Sequence, residues 1–293
     1  MGSLKEVRGR IASVNSTQQI TKAMKMVSAA KLRRAQDAII RMRPYANKLR
    51  EILENLSGSV DASSGGAYAK VRAEEKILIV AISSNRGLAG AFNSNIIRTV
   101  NKLLRQDYKT QMQAGKVKVM CIGKKSSDYF GKQKNIFLKH HNEIYNQLDF
   151  EHTAAIAEEI MKEFSSGNYD KVVLVYNLFK NAAVQYVQTE TMLPIAPPSK
   201  PEKKKTNVNY IFEPGQEEIV RELIPKSLKI QLYKALLDSH ASEHGARMTA
   251  MSKATDNAGE LLRELRLQYN KARQAAITNE ILEIVGGAEA LKG

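Results

Sequence analysis

The 293-residue chain has no tryptophan, one cysteine, seven prolines and seven phenylalanines. With Cys121 alone, no internal disulfide can form, which excludes a small secreted scaffold held by cross-links. Aromatic residues make up 6% of the chain and none occurs before Tyr45. The stacking surface that single-stranded nucleic-acid binders use is therefore missing from the most basic segment. Long apolar runs are missing too. Residues 77–82 and 172–176 are among the longest, far short of the roughly 20 residues that span a bilayer as a helix. The first ten residues lead into a charged periodic segment instead of an apolar signal core, so the expected location is the cytoplasmic side.

What the chain does have is positive charge, long helical periodicity and a central run of buried-strand patterns. The formal net charge is +15. In residues 1–50 there are twelve basic residues against Glu6 and Asp37. Such a field calls for an anionic counterpart: nucleic acid, an acidic membrane surface or an acidic protein wall.

One heptad frame runs Leu4, Ile11, Gln18, Lys25, Leu32, Ile39, Ala46 and Leu53, alternating with Val7, Val14, Thr21, Ser28, Ala35, Met42, Leu49 and Leu56. Twelve of these sixteen are apolar, the spacing of a coiled-coil stripe. At the four polar positions the apolar residues move to Ile20, Ala23, Met24 and Val27, so the stripe is expected to change face there. A second frame after Pro225 runs Leu237, His244, Met251, Ala258, Leu265 and Ala272, alternating with Ala241, Met248, Thr255, Leu262, Tyr269 and Ala276. Pro225 suits the first turn of this helix and Gly286-Gly287 its end. The small residues Ala241, Gly245, Ala254, Ala258 and Gly259 would let two such helices approach closely.

Between the frames the pattern is α/β. Residues 76–82, 116–122 and 171–176 read as buried strands and 183–191 as a further one, with helices over 92–104 and 151–164. That alternation predicts a parallel sheet with crossover helices. The expected organisation is an N-terminal coiled-coil helix (1–57), a linker (58–75), a Rossmann-like α/β domain (76–215) and a C-terminal coiled-coil helix (216–293), with the two helices antiparallel.

Two short patterns suggest chemistry. Residues 83–93 (SSNRGLAGAFN) follow a strand and precede a helix, but lack both the dinucleotide glycine spacing and the Gly-Lys-Ser/Thr of a phosphate loop. They read as a structural turn. His240, Glu243 and His244 satisfy H-x-x-E-H, an inverted zinc-protease pattern. His244 lies on the helix seam, however, and no third ligand is signalled, so packing is the expected role. His140-His141 shows no ligand spacing. No cofactor, metal or catalytic residue is expected.

Residues 11–32 (IASVNSTQQITKAMKMVSAAKL), 83–93 and above all 246–284 (ARMTAMSKATDNAGELLRELRLQYNKARQAAITNEILEI) resemble the gamma-subunit family of F-type ATP synthases. The resemblance implies an antiparallel coiled coil with a Rossmann-like domain at its base. It implies a non-catalytic rotor shaft inside a ring of three alpha and three beta subunits, standing on the membrane c-ring beside epsilon. The alternative is a basic coiled-coil nucleic-acid binder.

By motif position, Met24, Lys25, Arg247, Arg273, Gln274, Thr278 and Glu280 would contact beta. Ile281, Ile284, Val285 and Leu291 would sit in an apolar bearing, and Tyr210 and Glu213 would face the c-ring and epsilon. The implied location is the cytoplasmic face of a bacterial plasma membrane, held there through the c-ring. Asn85 and Ala89 depart from the Asp and Cys expected in the loop motif.

Overall fold

The computed structural model describes residues 4–57, 67–195 and 216–290. Tyr210, Glu213 and Leu291, and most of the linker assigned to 58–75, lie outside these residues. The chain divides into two compact units, one of Met1–Ser28 with Met248–Gly293 and the other of Ala29–Arg247.

The larger unit is built on a five-stranded sheet. Strands β1 (Ile77–Ile82), β2 (Val117–Ile122) and β4 (Lys171–Phe179) fall where unbroken apolar runs place them, and β1 and β2 are buried along nearly their whole length. A strand whose two faces are both covered needs side chains of one kind, hence runs such as ILIVAI. The order is β3-β2-β1-β4-β5, with β3 (Phe137–His140) at one edge and β5 (Gln185–Leu193) at the other. All pairs are parallel except β4 with β5. The parallel expectation therefore holds for four strands, and the fifth closes a hairpin.

Helices α2 (Phe92–Arg105), α3 (Lys109–Gln113), α4 (Lys124–Phe130) and α5 (Phe150–Ser165) make the crossovers. One sheet face packs Ile77, Ile79 and Val119 with Ile96, Val100 and Phe130. The other packs Leu78, Val80 and Leu174 with Ile160 and Phe164 of α5 and with Leu228, Leu232 and Leu236 of a long helix, α6 (Gln216–Ala290). Cys121 is buried in β2, and burial raises its thiol to about 11.

Helices α1 (Leu4–Ser57) and α6 (Gln216–Ala290) are far longer than most globular helices. Two boundary expectations fail on α6. Pro225 lies inside the helix, not in its first turn, and the helix runs through Gly286-Gly287 to Ala290. Proline removes one backbone hydrogen bond, and each glycine costs roughly 1 kcal/mol against alanine. A helix this long tolerates those local costs because its remaining ladder is intact.

In the smaller unit the two helices pair antiparallel. Arg8 NH2 donates to Tyr269 Oη at 2.7 Å, Gln18 Nε2 to the Thr255 carbonyl at 3.4 Å and Lys25 Nζ to Ser252 Oγ at 3.0 Å. The stripe does not change face. Ile20 and Val27 are each 58% exposed, while the polar seam residues Thr21 and Ser28 are buried.

The reason is where the hydroxyls go. Thr21 Oγ1 donates to the Gln18 carbonyl at 3.0 Å and Ser28 Oγ to the Met24 carbonyl at 2.7 Å, and Thr255 Oγ1 lies 2.8 Å from Thr21 Oγ1. Small residues whose polar atoms are satisfied by their own helix can be buried without penalty. Gly259 belongs to the same contact, since a Cβ there would meet Gln18 Nε2 at 3.0 Å. Gly245, by contrast, gives its space to the β4–β5 turn, where a Cβ would meet the Ala182 backbone at 3.2 Å.

Gly123 and Gly115 separate two costs of a side chain at positive φ. At Gly123 (φ +112°) a Cβ would meet the Ser83 carbonyl oxygen at 2.1 Å, whereas at Gly115 (φ +71°) the space is open. Gly123→Ala should lower stability by about 3 kcal/mol through clash plus strain. Gly115→Ala should cost about 1 kcal/mol through strain alone. Denaturant midpoints of the two variants test the difference; equal shifts would contradict it.

Candidate functional site

An open α/β sheet offers ligands a crevice at the carboxyl ends of its strands, where the strand order reverses. Here that point lies between β1 and β4, and it is where residues 83–91 emerge. Ser83 and Ser84 are fully buried. The Ser84 N–H donates to Asn93 Oδ1 at 3.0 Å and the Ser83 N–H to the Ile122 carbonyl at 2.8 Å. Asn85 spans the loop, its Nδ2 donating to the Asn142 carbonyl at 2.9 Å and its Oδ1 accepting from the Lys124 N–H at 2.9 Å. Leu88 is turned outward at φ 62°.

Helix α6 closes the crevice from above. Arg247 NH2 donates to the carbonyls of Arg86 at 3.1 Å and Gly87 at 3.2 Å, and Ser242 Oγ donates to the Asn177 carbonyl of β4 at 3.1 Å. The guanidinium is held in turn by Glu243 Oε1, 2.5 Å from NH1. Both partners are buried, with side chains 8% and 9% exposed. Burial pushes the Glu243 carboxyl up, and Arg247 with Lys31 draws it back down. The loop that the sequence marks as a turn is thus bolted by the chain's own arginine, in the space where a phosphate-binding protein would admit its ligand.

The H-x-x-E-H residues lie beside this clamp. One ligand atom from each of His240, Glu243 and His244 falls within 4.8 Å of the others, which brings the sequence pattern together in space. The charge around them opposes a divalent cation. The one carboxylate is already engaged by Arg247, and Lys31 and Arg247 both bear on the imidazoles. In zinc sites of this pattern the glutamate acts as general base beside two histidine ligands, and here it is bonded to Arg247 instead.

The remaining residues singled out in the sequence separate clearly. Met24 is half-buried on the α1–α6 seam and Lys25 is exposed. Arg273, Gln274, Thr278 and Glu280 are all exposed on α6, with Thr278 Oγ1 returning to the Gln274 carbonyl at 2.9 Å. Ile281, Ile284 and Val285 are 55%, 71% and 51% exposed, and Ile277 and Leu282 join them. Among the described residues these five large apolar side chains, within nine positions, are 46–71% exposed. Sequence reading missed the clamp's reach into the loop, since Arg247 and Arg86 are 161 residues apart and no local pattern links them.

Arg247→Ala should destabilise the chain by about 3 kcal/mol or more, because it strands a buried carboxylate. The paired replacement Arg247→Met with Glu243→Leu should cost less than either single change. Thermal unfolding of the three variants checks the order, and a double variant worse than both singles would refute the clamp.

The profile of the family described as ATP synthase matches residues 3–291. The ATP synthase gamma chain of Flavobacterium johnsoniae is 60% identical over 294 residues, covering 100% of both chains, and that of Cytophaga hutchinsonii is 55% identical over 99% of each. Among solved structures, a chain from the central stalk/c-ring of the Tetrahymena thermophila mitochondrial ATP synthase is 27% identical. It has a TM-score of 0.59 and covers 80% of this chain and 99% of that one. A chain of the Euglena gracilis mitochondrial ATP synthase shares the fold at 22% identity, with a TM-score of 0.68 over 98% of this chain and 94% of that one. Matched along its whole length by relatives of that name, this chain belongs to the ATP synthase gamma-chain family.

Proposed function

We propose that the chain is the central rotor shaft of an F-type ATP synthase, coupling ion-driven rotation of a c-ring to the conformational cycle of catalytic beta subunits. The observation that carries this reading is the antiparallel α1–α6 pair of the smaller unit, with α6 continuing into an apolar stretch, Ile277 to Val285, that this chain leaves exposed. An uncovered apolar cluster of this kind marks a contact with other chains. The relatives, which are ATP synthase gamma chains, and the Tetrahymena structure, a central stalk with its c-ring, support the same reading.

The role is mechanical, and the reactions belong to beta. Its own α/β domain has its crevice filled by Arg247 and Ser242, which argues against a nucleotide site there. A shaft drives its partners only if each angle interacts differently with the alternative beta conformations, since a partner without differential affinity shifts no equilibrium. A pair of helices with unlike faces meets that condition. Twelve basic residues in the first fifty suit an acidic protein wall, and the absence of aromatics before Tyr45 weighs against nucleic acid.

In this reading Met24 and Lys25 meet beta, as do Arg273, Gln274, Thr278 and Glu280. Arg247, also assigned to beta by resemblance, is already engaged within the chain. Ile281, Ile284 and Val285 form the apolar bearing together with Leu291, and Tyr210 and Glu213 serve the base at epsilon and the c-ring. Three alpha and three beta subunits surround one copy. The shaft reaches the cytoplasmic face of a bacterial membrane through the c-ring, for no described helix is long and apolar enough to cross one.

Co-expression with the alpha and beta subunits of the same source should give a complex of three, three and one by native mass, with sustained ATP hydrolysis that depends on this chain. Failure to assemble would sink the proposal. Within an assembled enzyme, Met24→Lys should lower ion-driven ATP synthesis relative to hydrolysis by adding a cation facing beta. Unchanged synthesis would remove Met24 from that contact.

A further inference from the structure

Two imidazoles, His244 buried and His240 half-buried, lie beside the clamp that holds the loop after β1. His244 is 4% exposed, its ring meets that of His240 edge to face with centroids 4.5 Å apart, and Tyr145 stacks on His240 at 5.9 Å. His240 Nδ1 and His244 Nε2 are buried without a hydrogen-bond partner, and His244 Nδ1 lies 3.5 Å from Arg247 NH1. A buried polar atom left unpaired is costly and calls for a reason.

The charged and titratable groups around the pair come from four elements. Lys31 bears on both rings from α1, and Arg247 and Glu243 flank them on α6. Arg86 acts on Glu243 from the loop, and Tyr145 faces His240 from the short 3-10 turn Asn142–Asn146. Three cations stand against one carboxylate.

We propose that the His240–His244 pair is an acid-sensitive latch on the loop after β1. With both rings neutral, Arg247 remains bonded to Glu243 and to the carbonyls of Arg86 and Gly87. A proton on either ring adds a positive charge within a few ångströms of the guanidinium and offers Glu243 a second cationic donor. Arg247 loses its counter-ion, and the loop loses its bolt. This inference stands on the cluster's geometry and holds whether or not the chain is a rotor shaft.

Burial, reinforced by Lys31 and Arg247, lowers His240 to about 4. Burial, the neighbouring ring and the same two cations lower His244 to about 3. The closed form therefore binds fewer protons than the open form between those values and the ordinary histidine value of about 6.5, and closure weakens as pH falls through that window. Burial acts in the opposite sense on the carboxyls, raising Asp238 to about 6 and raising Glu243 as well. Those groups favour the folded state as pH falls through that range; because Glu243 lies within the latch itself, the histidine contribution is read as the difference between the wild type and a variant without the two imidazoles.

The test is hydrogen exchange of the full-length chain between about pH 7 and about pH 4.5, corrected for intrinsic rates and read at residues 240–248, Ser84 and Phe92. Protection there should fall by up to about tenfold for each pH unit below 6.5 over which one ring stays neutral when closed and protonates when open. The double variant His240→Gln with His244→Gln should lose this dependence while strands β1 and β2 keep theirs. Lys31→Gln, a change at an exposed residue, should shrink the fall by raising the pKa of the closed form. No fall in the wild type, or the same fall in the double histidine variant, would overturn the latch. If the double variant does not fold, a Lys31→Gln profile identical to wild type overturns it.

Discussion

A helix has one stripe to bury, and most of this molecule follows from what α6 finds to bury it against. Over Leu228, Leu232 and Leu236 the stripe meets the sheet and α5. Over Met251, Ala258, Leu262 and Leu265 it is buried in the smaller unit. From Ile277 onward its large apolar residues are exposed among the described residues. The same repeating pattern thus serves as domain core, as half of a coiled coil and as an exposed apolar surface, and only the surroundings distinguish the three.

Much of this was legible in the sequence because burial on both faces, or along one stripe, leaves a repeating mark. Strands β1, β2 and β4, helices α2 and α5 and both helical frames could be counted from apolar spacing. Strand β3 could not: FLKH at the sheet edge pairs on one side only and alternates half-buried with exposed residues, which removes the run that marks a central strand. The polar stretch Gln18 to Ser28 misled for a related reason. Apolar counting takes Thr21 and Ser28 for surface, yet their hydroxyls bond to carbonyls of their own helix, so in packing they act as small, nearly neutral residues. The helix ends failed because proline and glycine were read as punctuation, whereas a helix with many intact turns absorbs them.

The candidate site was legible in its parts but not in its assembly. The loop after β1 and the H-x-x-E-H residues each appear in the sequence as a weak pattern of a different chemistry. Arg247 joins them, and it does so by occupying both. It bonds the carbonyls of Arg86 and Gly87 in the loop after β1 and the carboxylate of Glu243 in the H-x-x-E-H residues. In this α/β domain the crevice at the strand ends is thereby crossed by the chain's own arginine.

Cys121 has a consequence of a different kind. Thiol exchange and oxidation proceed through the thiolate, and a buried thiol raised to about 11 presents almost none at neutral pH. As the sequence holds no second cysteine, no disulfide can form within it. A single cysteine introduced at an exposed position would therefore be labelled against a nearly silent background.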